Sequence, residues 1–135
     1  ARHLSAERFA GYLADPRHVV LVAEEDGQLV GYTMVVAGEP DDREVAAAIT
    51  VRPTAELSKC YVHPDHFGSG LAATLVDRTV EVAGRLGAAA LCLGVNAQNA
   101  RANRFYEKRG FVVVGTRRYL VGGQVEDDLV RERVL

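Results

Sequence analysis

The order of elements in this chain predicts a single α/β domain spanning residues 1–135, and three observations carry that prediction. Asp26-Gly27 separates two strand-like runs, the strongest short-range hairpin signal present. From Glu56 to Leu86 a strand (ELSKCYV), a loop (HPDHFGSG) and an amphipathic helix opening at Leu71 follow one another. A further strand and helix come next, and two β-rich runs then meet at Gly122-Gly123.

Each element has a local reason. Ser5 can cap a short helix through Leu13, which Asp15-Pro16 stops. Val19 to Glu25 and Gln28 to Ala37 read as the strands of the first hairpin. Pro40 to Ile49 begins Pro-Asp-Asp-Arg-Glu and continues Val-Ala-Ala-Ala, which suits a short helix or an ordered loop. A strand near Ala55 to Val62 precedes a helix from Gly70 to Leu86, closed by Gly87. A strand from Ala89 to Val95 precedes a helix from Asn99 to Arg109, closed by Gly110. Phe111 to Val121 and Gln124 to Val134 pair as the terminal hairpin. No internal repeat, linker or low-complexity segment interrupts this order.

Composition bounds the function. With 48% hydrophobic and 25% charged residues the balance is that of an ordinary globular domain. A net charge of −2 and the lack of a basic run with interleaved aromatics argue against nucleic-acid binding. No apolar run approaches the length of a membrane span and Ala1 opens no signal-peptide pattern, so no membrane partner is expected. Cys60 and Cys92 both lie in strand-like apolar runs, which reads as reduced buried thiols of a cytoplasmic protein rather than a disulfide framework. No metal-ligand spacing is present, so no metal is expected.

The loop before the long helix is suited to an anion. Gly68 and Gly70 let the backbone approach a ligand, and the first-turn N–H groups of the helix are unpaired donors at the positive end of its dipole. A mononucleotide P-loop is excluded, because Gly70 is followed by Leu71 and Ala72 instead of Lys and Ser or Thr. Gly68-Ser69-Gly70-Leu71-Ala72-Ala73 fits the G-x-G-x-x-A dinucleotide pattern, which keeps a nicotinamide-dependent oxidoreductase as an alternative. Five residues separate the strand from these glycines, however, and the next strand ends in Asn96 where that fold wants an acid.

Phe67-Gly68-Ser69-Gly70-Leu71-Ala72 also resembles the acyl-CoA pyrophosphate loop of the GNAT superfamily of N-acetyltransferases, (Arg or Gln)-x-x-Gly-x-(Gly or Ala). Asn99-Ala100-Arg101-Ala102-Asn103-Arg104-Phe105-Tyr106-Glu107-Lys108-Arg109-Gly110-Phe111 is similar to that superfamily's N-x-x-A-x-x-F-Y-E-K-x-G-F segment, and it lies in the expected place. The resemblance runs from Val19 to Val134 and departs at Phe67, which brings no phosphate contact of its own. It implies a mixed, mostly antiparallel sheet flanked by helices, with the superfamily's N-terminal strand and helix lacking here. It implies acetyl-CoA as co-substrate, a primary amine as acceptor, and an acceptor pocket that a second subunit can help to form, hence a homodimer.

The residue roles follow from the chemistry such a transfer needs: a base for the amine, an acid for the leaving thiolate and a donor for the oxyanion. Tyr106 matches the family tyrosine that faces the CoA sulfur, although Ala102, Phe105 and Tyr106 also form a core-facing stripe. Glu56 matches a strand glutamate that acts as base directly or through water; its alternative reading is a solvated carboxylate. The oxyanion donor is a backbone N–H of Tyr61 or Val62. Cofactor contacts are expected from Phe67, Gly68, Ser69, Gly70, Leu71, Ala72, Asn99 and Phe105, with His63 and His66 flanking the loop, and Asn99 equally explained as a helix cap.

Cys60 lies on the Glu56 face by period-two alternation, but no histidine near it in sequence would activate it, so direct transfer is expected over an acyl-cysteine. The tail Tyr119-Leu120-Val121-Gly122-Gly123-Gln124-Val125-Glu126-Asp127-Asp128 and the run Glu56 to Val62 resemble the polyamine acetyltransferase branch. Spermidine is thus the expected acceptor, drawn by Glu56, Asp41 and Asp42, with a peptide or protein amine as alternative. An acyl-CoA sensor without turnover needs only the glycine loop and also stays open.

Overall fold

The computed structural model describes residues 2–7 and 16–135. They form a seven-stranded sheet in the order β1-β2-β3-β4-β5-β7-β6, interleaved with three α-helices. The strands are β1 (Arg2–Glu7), β2 (His18–Glu25), β3 (Gln28–Ala37), β4 (Thr54–Val62), β5 (Ala90–Asn96), β6 (Val112–Val121) and β7 (Gln124–Val134). The helices are α1 (Arg43–Ala48), α2 (Leu71–Arg85) and α3 (Ala100–Lys108). All pairings are antiparallel except β4 with β5.

The N-terminal expectation needs correction. Ser5 does not cap a helix: residues 2–7 are a strand, and Ser5 stands opposite Val22 of β2. A first strand is therefore present. Capping and proline signals are local, whereas the open edge of β2 offers a ladder of backbone partners that they do not register. The remainder of the expected helix, residues 8–13, lies outside the described residues.

The other elements form where sequence periodicity puts them. Asp26 and Gly27 take positive φ angles of 52° and 77°, as a two-residue hairpin loop requires. Asp42 caps α1 by accepting from the N–H groups of Glu44 and Val45 at 2.9 and 3.1 Å, which resolves the helix-or-loop alternative as helix. The buried stripe of α2, Leu71, Leu75, Val76, Thr79 and Ala83, lies on one sheet face. There Val76 and Ala83 join Val35, Ala55, Leu57, Leu91, Leu93 and Phe111 in the main core. Phe111 is fully buried, and truncating such a side chain costs about 3–5 kcal/mol. The opposite face is covered by α1, whose Val45 packs with Ile49, Cys92 and Val130.

Two irregularities shape the middle of the sheet. The β3–β4 register shifts so that Met34 faces Lys59 and Val35 faces Leu57, leaving Ser58 as an extra residue in β4. In addition, β4 and β5 pair only from Thr54/Ala90 to Glu56/Cys92; beyond that β5 continues beside β7 while β4 stays with β3. The two central strands therefore splay apart, and the gap between them has an open side on each face of the sheet.

Candidate active site

On the helical face, the splay opens into a cavity of about 590 Å³ between the N-terminus of α2 and the inner side of α3. The loop that feeds α2 is built by short bonds. His63 Nδ1 accepts from the Asp65 N–H at 3.1 Å, Phe67 N–H donates to Pro64, and Ser69 donates through both N–H and hydroxyl to His66. Gly68 and Gly70 have φ of 78° and 84°, and nothing stands within 4 Å of where a Cβ would be. The N–H groups of Gly68, Gly70, Ala72 and Ala73 find no acceptor among the described residues, while that of Leu71 is held by Ser69 Oγ at 3.3 Å. These free donors, grouped at a helix N-terminus beside a roomy cavity, suit a pyrophosphate.

Tyr106 reaches the cavity from α3. Asn99 caps that helix by accepting from the Ala102 N–H at 3.1 Å and also lines the cavity, so both of its expected roles are open to it. The Tyr106 ring packs edge-on against Phe105 and Phe111, with centroids 5.2 and 5.9 Å away. Burial pushes its hydroxyl well above the usual phenol range, and the neighbouring Cys60 sulfur adds to the effect. The phenol is thus a proton-bearing donor at any physiological pH. Burial also raises the Cys60 thiol, which disfavours the thiolate that nucleophilic attack would need.

Glu56 does not share this side. The extra residue at Ser58 reverses the strand's alternation, so Leu57 and Cys60 belong to the α2 face while Glu56 and Ser58 line a smaller pocket of about 300 Å³ on the α1 face. The expectation that Cys60 and Glu56 share a face is overturned by this bulge. Burial raises the Glu56 carboxyl above its ordinary value, Asp41 and Asp42 add to the rise, and the Arg117 guanidinium opposes it. Asp42 is already committed as the α1 cap and faces Arg117 at 3.6 Å, and Arg117 also bonds Asp128. His18 Nδ1 and Arg117 Nε are buried without a partner among the described residues, and both side chains line this pocket.

Of the expected residues, Tyr106, Val62, Phe67, Gly68, Gly70, Ala72, Asn99 and Phe105 surround the large cavity. Tyr61, Ser69 and Leu71 do not line it: Tyr61 stacks obliquely with Tyr32, Ser69 holds the loop, and Leu71 is buried beside Leu21 and Leu75. The His63 N–H bonds to Val30 of β3, so by alternation along a strand the Val62 N–H points away from β3 into the gap, which favours Val62 over Tyr61 as oxyanion donor. His66 lines the cavity and His63 does not.

Sequence reading missed Arg101 on the cavity side and Arg117 on the other. The Gly122-Gly123 turn carried a signal for the second, since its register sets Arg117 opposite Asp128, a cross-strand charge pair.

Residues 2–111 match the model of the Acetyltransferase (GNAT) family. An N-acetyltransferase of Mycobacterium tuberculosis, itself uncharacterized, is 44% identical over 133 residues, covering 98% of this chain and 78% of the relative. An L-amino acid N-acyltransferase of Escherichia coli is 36% identical over 108 residues, covering 80% of this chain and 55% of the relative. Among solved structures, a Salmonella typhimurium protein determined with its cofactor acetyl-CoA is 29% identical with a TM-score of 0.68, covering 87% of this chain and 65% of that one.

Proposed function

The chain belongs to the GNAT acetyltransferase family and is an acetyl-CoA-dependent N-acetyltransferase; from that premise we propose that it acetylates a small primary amine by direct attack, the two substrates meeting at the β4–β5 splay. The observation that carries this reading is the splay itself, with a large cavity on one sheet face and a smaller polar pocket on the other. Acetyl-CoA supplies the activated thioester. Glu56 takes the proton of the acceptor ammonium, directly or through a water, and its raised affinity for protons suits that task. The Val62 N–H receives the charge that develops on the acyl oxygen. As the carbon–sulfur bond breaks, Tyr106 gives its proton to the departing sulfur, the attacking nitrogen sheds its second proton to solvent, from which the phenol is reprotonated, and an N-acetyl amide and free CoA result.

The acceptor pocket carries both signs of charge. Asp42 is committed to the α1 cap and Glu39 to Arg52, while Arg17 and Arg117 line the same space. A zwitterion, with its amine toward Glu56 and its carboxylate toward the arginines, suits this better than a long polycation. The L-amino acid acyltransferase relative supports an α-amino acid type of acceptor. Spermidine stands as the second reading, favoured by Asp41 and Glu56 and by the Tyr119 to Asp128 tail; a peptide amine is the third. A cytoplasmic homodimer belongs to the same proposal, supported by apolar side chains at the edge hairpin, where Leu120 is 72% and Val125 58% exposed.

Release of free CoA thiol from acetyl-CoA with a panel of amino acids, polyamines, aminoglycosides and short peptides tests the reading. Amino acids should give the highest kcat/KM. Faster turnover of spermidine, falling as salt rises, would select the second reading. No thiol release with any amine would favour the sensor.

A further inference from the structure

Arg101 is in an unfavourable place for a cation. It occupies the first turn of α3, where the helix dipole is positive and no acidic side chain offsets it. It is exposed, and among the described residues its side chain makes no hydrogen bond or ion pair; its guanidinium lies over the face of the Phe67 ring, 4.8 Å from the centroid. Phe67 in turn is 54% exposed at the mouth of the large cavity, so this pair does not serve to bury a core. Both residues line the cavity, and so do the loop residues whose N–H groups lack acceptors. A planar cation stacked on a ring keeps its edge donors free and is held in one orientation by the ring.

Building on the acetyl-CoA site proposed above, we infer that Arg101, pinned by the Phe67 ring, is a phosphate-binding residue that closes the cofactor between the N-termini of α2 and α3. The backbone donors of Gly68, Gly70, Ala72 and Ala73 provide partial positive charge on one side, and Arg101 provides a full charge on the other. A phosphate lying between them would offset the cost of a cation at the α3 N-terminus. Phe67 then has a role its apolar side chain would not otherwise have in a phosphate loop: it orients the guanidinium.

Calorimetry on the intact chain tests this with CoA, 3′-dephospho-CoA and acetyl-pantetheine as ligands. Arg101→Gln should weaken CoA binding by roughly tenfold, the loss of one charge-assisted contact, and flatten its salt dependence, while acetyl-pantetheine, which has no phosphate, binds both proteins alike. A loss kept with 3′-dephospho-CoA assigns the contact to the pyrophosphate; a loss that vanishes there assigns it to the 3′-phosphate. Phe67→Leu should give a smaller loss of the same pattern, and the melting temperature of Arg101→Gln should not fall. Equal CoA affinity in Arg101→Gln, or an equal loss for acetyl-pantetheine, would overturn the inference. Failure of the unmodified chain to bind CoA would instead overturn the site.

Discussion

At Glu56 burial favours the property that the proposed role as general base would use. The carboxyl is pushed up from its ordinary 4.5, mainly by burial, so the folded state holds its proton more tightly than the unfolded state does. The sign of the stability effect follows: the folded state has its full contribution from this group below about pH 4.5 and loses it as pH rises through the raised value. Glu56→Gln should therefore be more stable than the parent at neutral pH, with the difference shrinking toward pH 4.5, as measured by urea unfolding across that range. The same variant should lose kcat by roughly a hundredfold to ten-thousandfold and lose the acid limb of its pH profile, with CoA affinity near normal. Tyr106→Phe should show a comparable fall in kcat while CoA still binds. Full activity of either variant would remove that residue from the mechanism.

Among the elements, α2, α3 and the loop between Val62 and Leu71 were legible because caps, glycines and 3.6-residue periodicity are local properties of the chain. The two faces of the site were not. They depend on Ser58, whose place as an extra residue is decided by pairing with β3 more than twenty positions upstream, and nothing around Ser58 marks it. Strand β1 was missed for a similar reason, since its partner is the edge of β2. The glycines of the loop and of β6 make separable predictions. Gly70→Glu forces a side chain into a left-handed conformation at the anion site, and calorimetry should show CoA binding lost while the fold survives. At Gly115, by contrast, a Cβ would stand 2.5 Å from Ala48 Cβ, so α1 sits against β6 only because this residue has no side chain. Gly115→Val should destabilise by about 1–3 kcal/mol in urea titration, and Ala48→Gly should recover part of that loss.

For the whole molecule, the sheet is a partition with an opening. In the proposed function, helices α2 and α3 build the cofactor side, α1 and the β6–β7 hairpin build the acceptor side, and the parting of β4 from β5 joins them. On the proposed reading the amine reaches the thioester from the far face, and the Cys60 thiol, pushed up by burial, is disfavoured as an acyl carrier. Mass spectrometry after incubation with acetyl-CoA alone should find Cys60 unmodified. The most direct test is initial-rate kinetics with acetyl-CoA and the best acceptor from the amine panel varied together. Double-reciprocal lines that intersect are expected, because both substrates must be bound before transfer; parallel lines, the mark of an acetylated enzyme intermediate, would contradict direct attack across the splay.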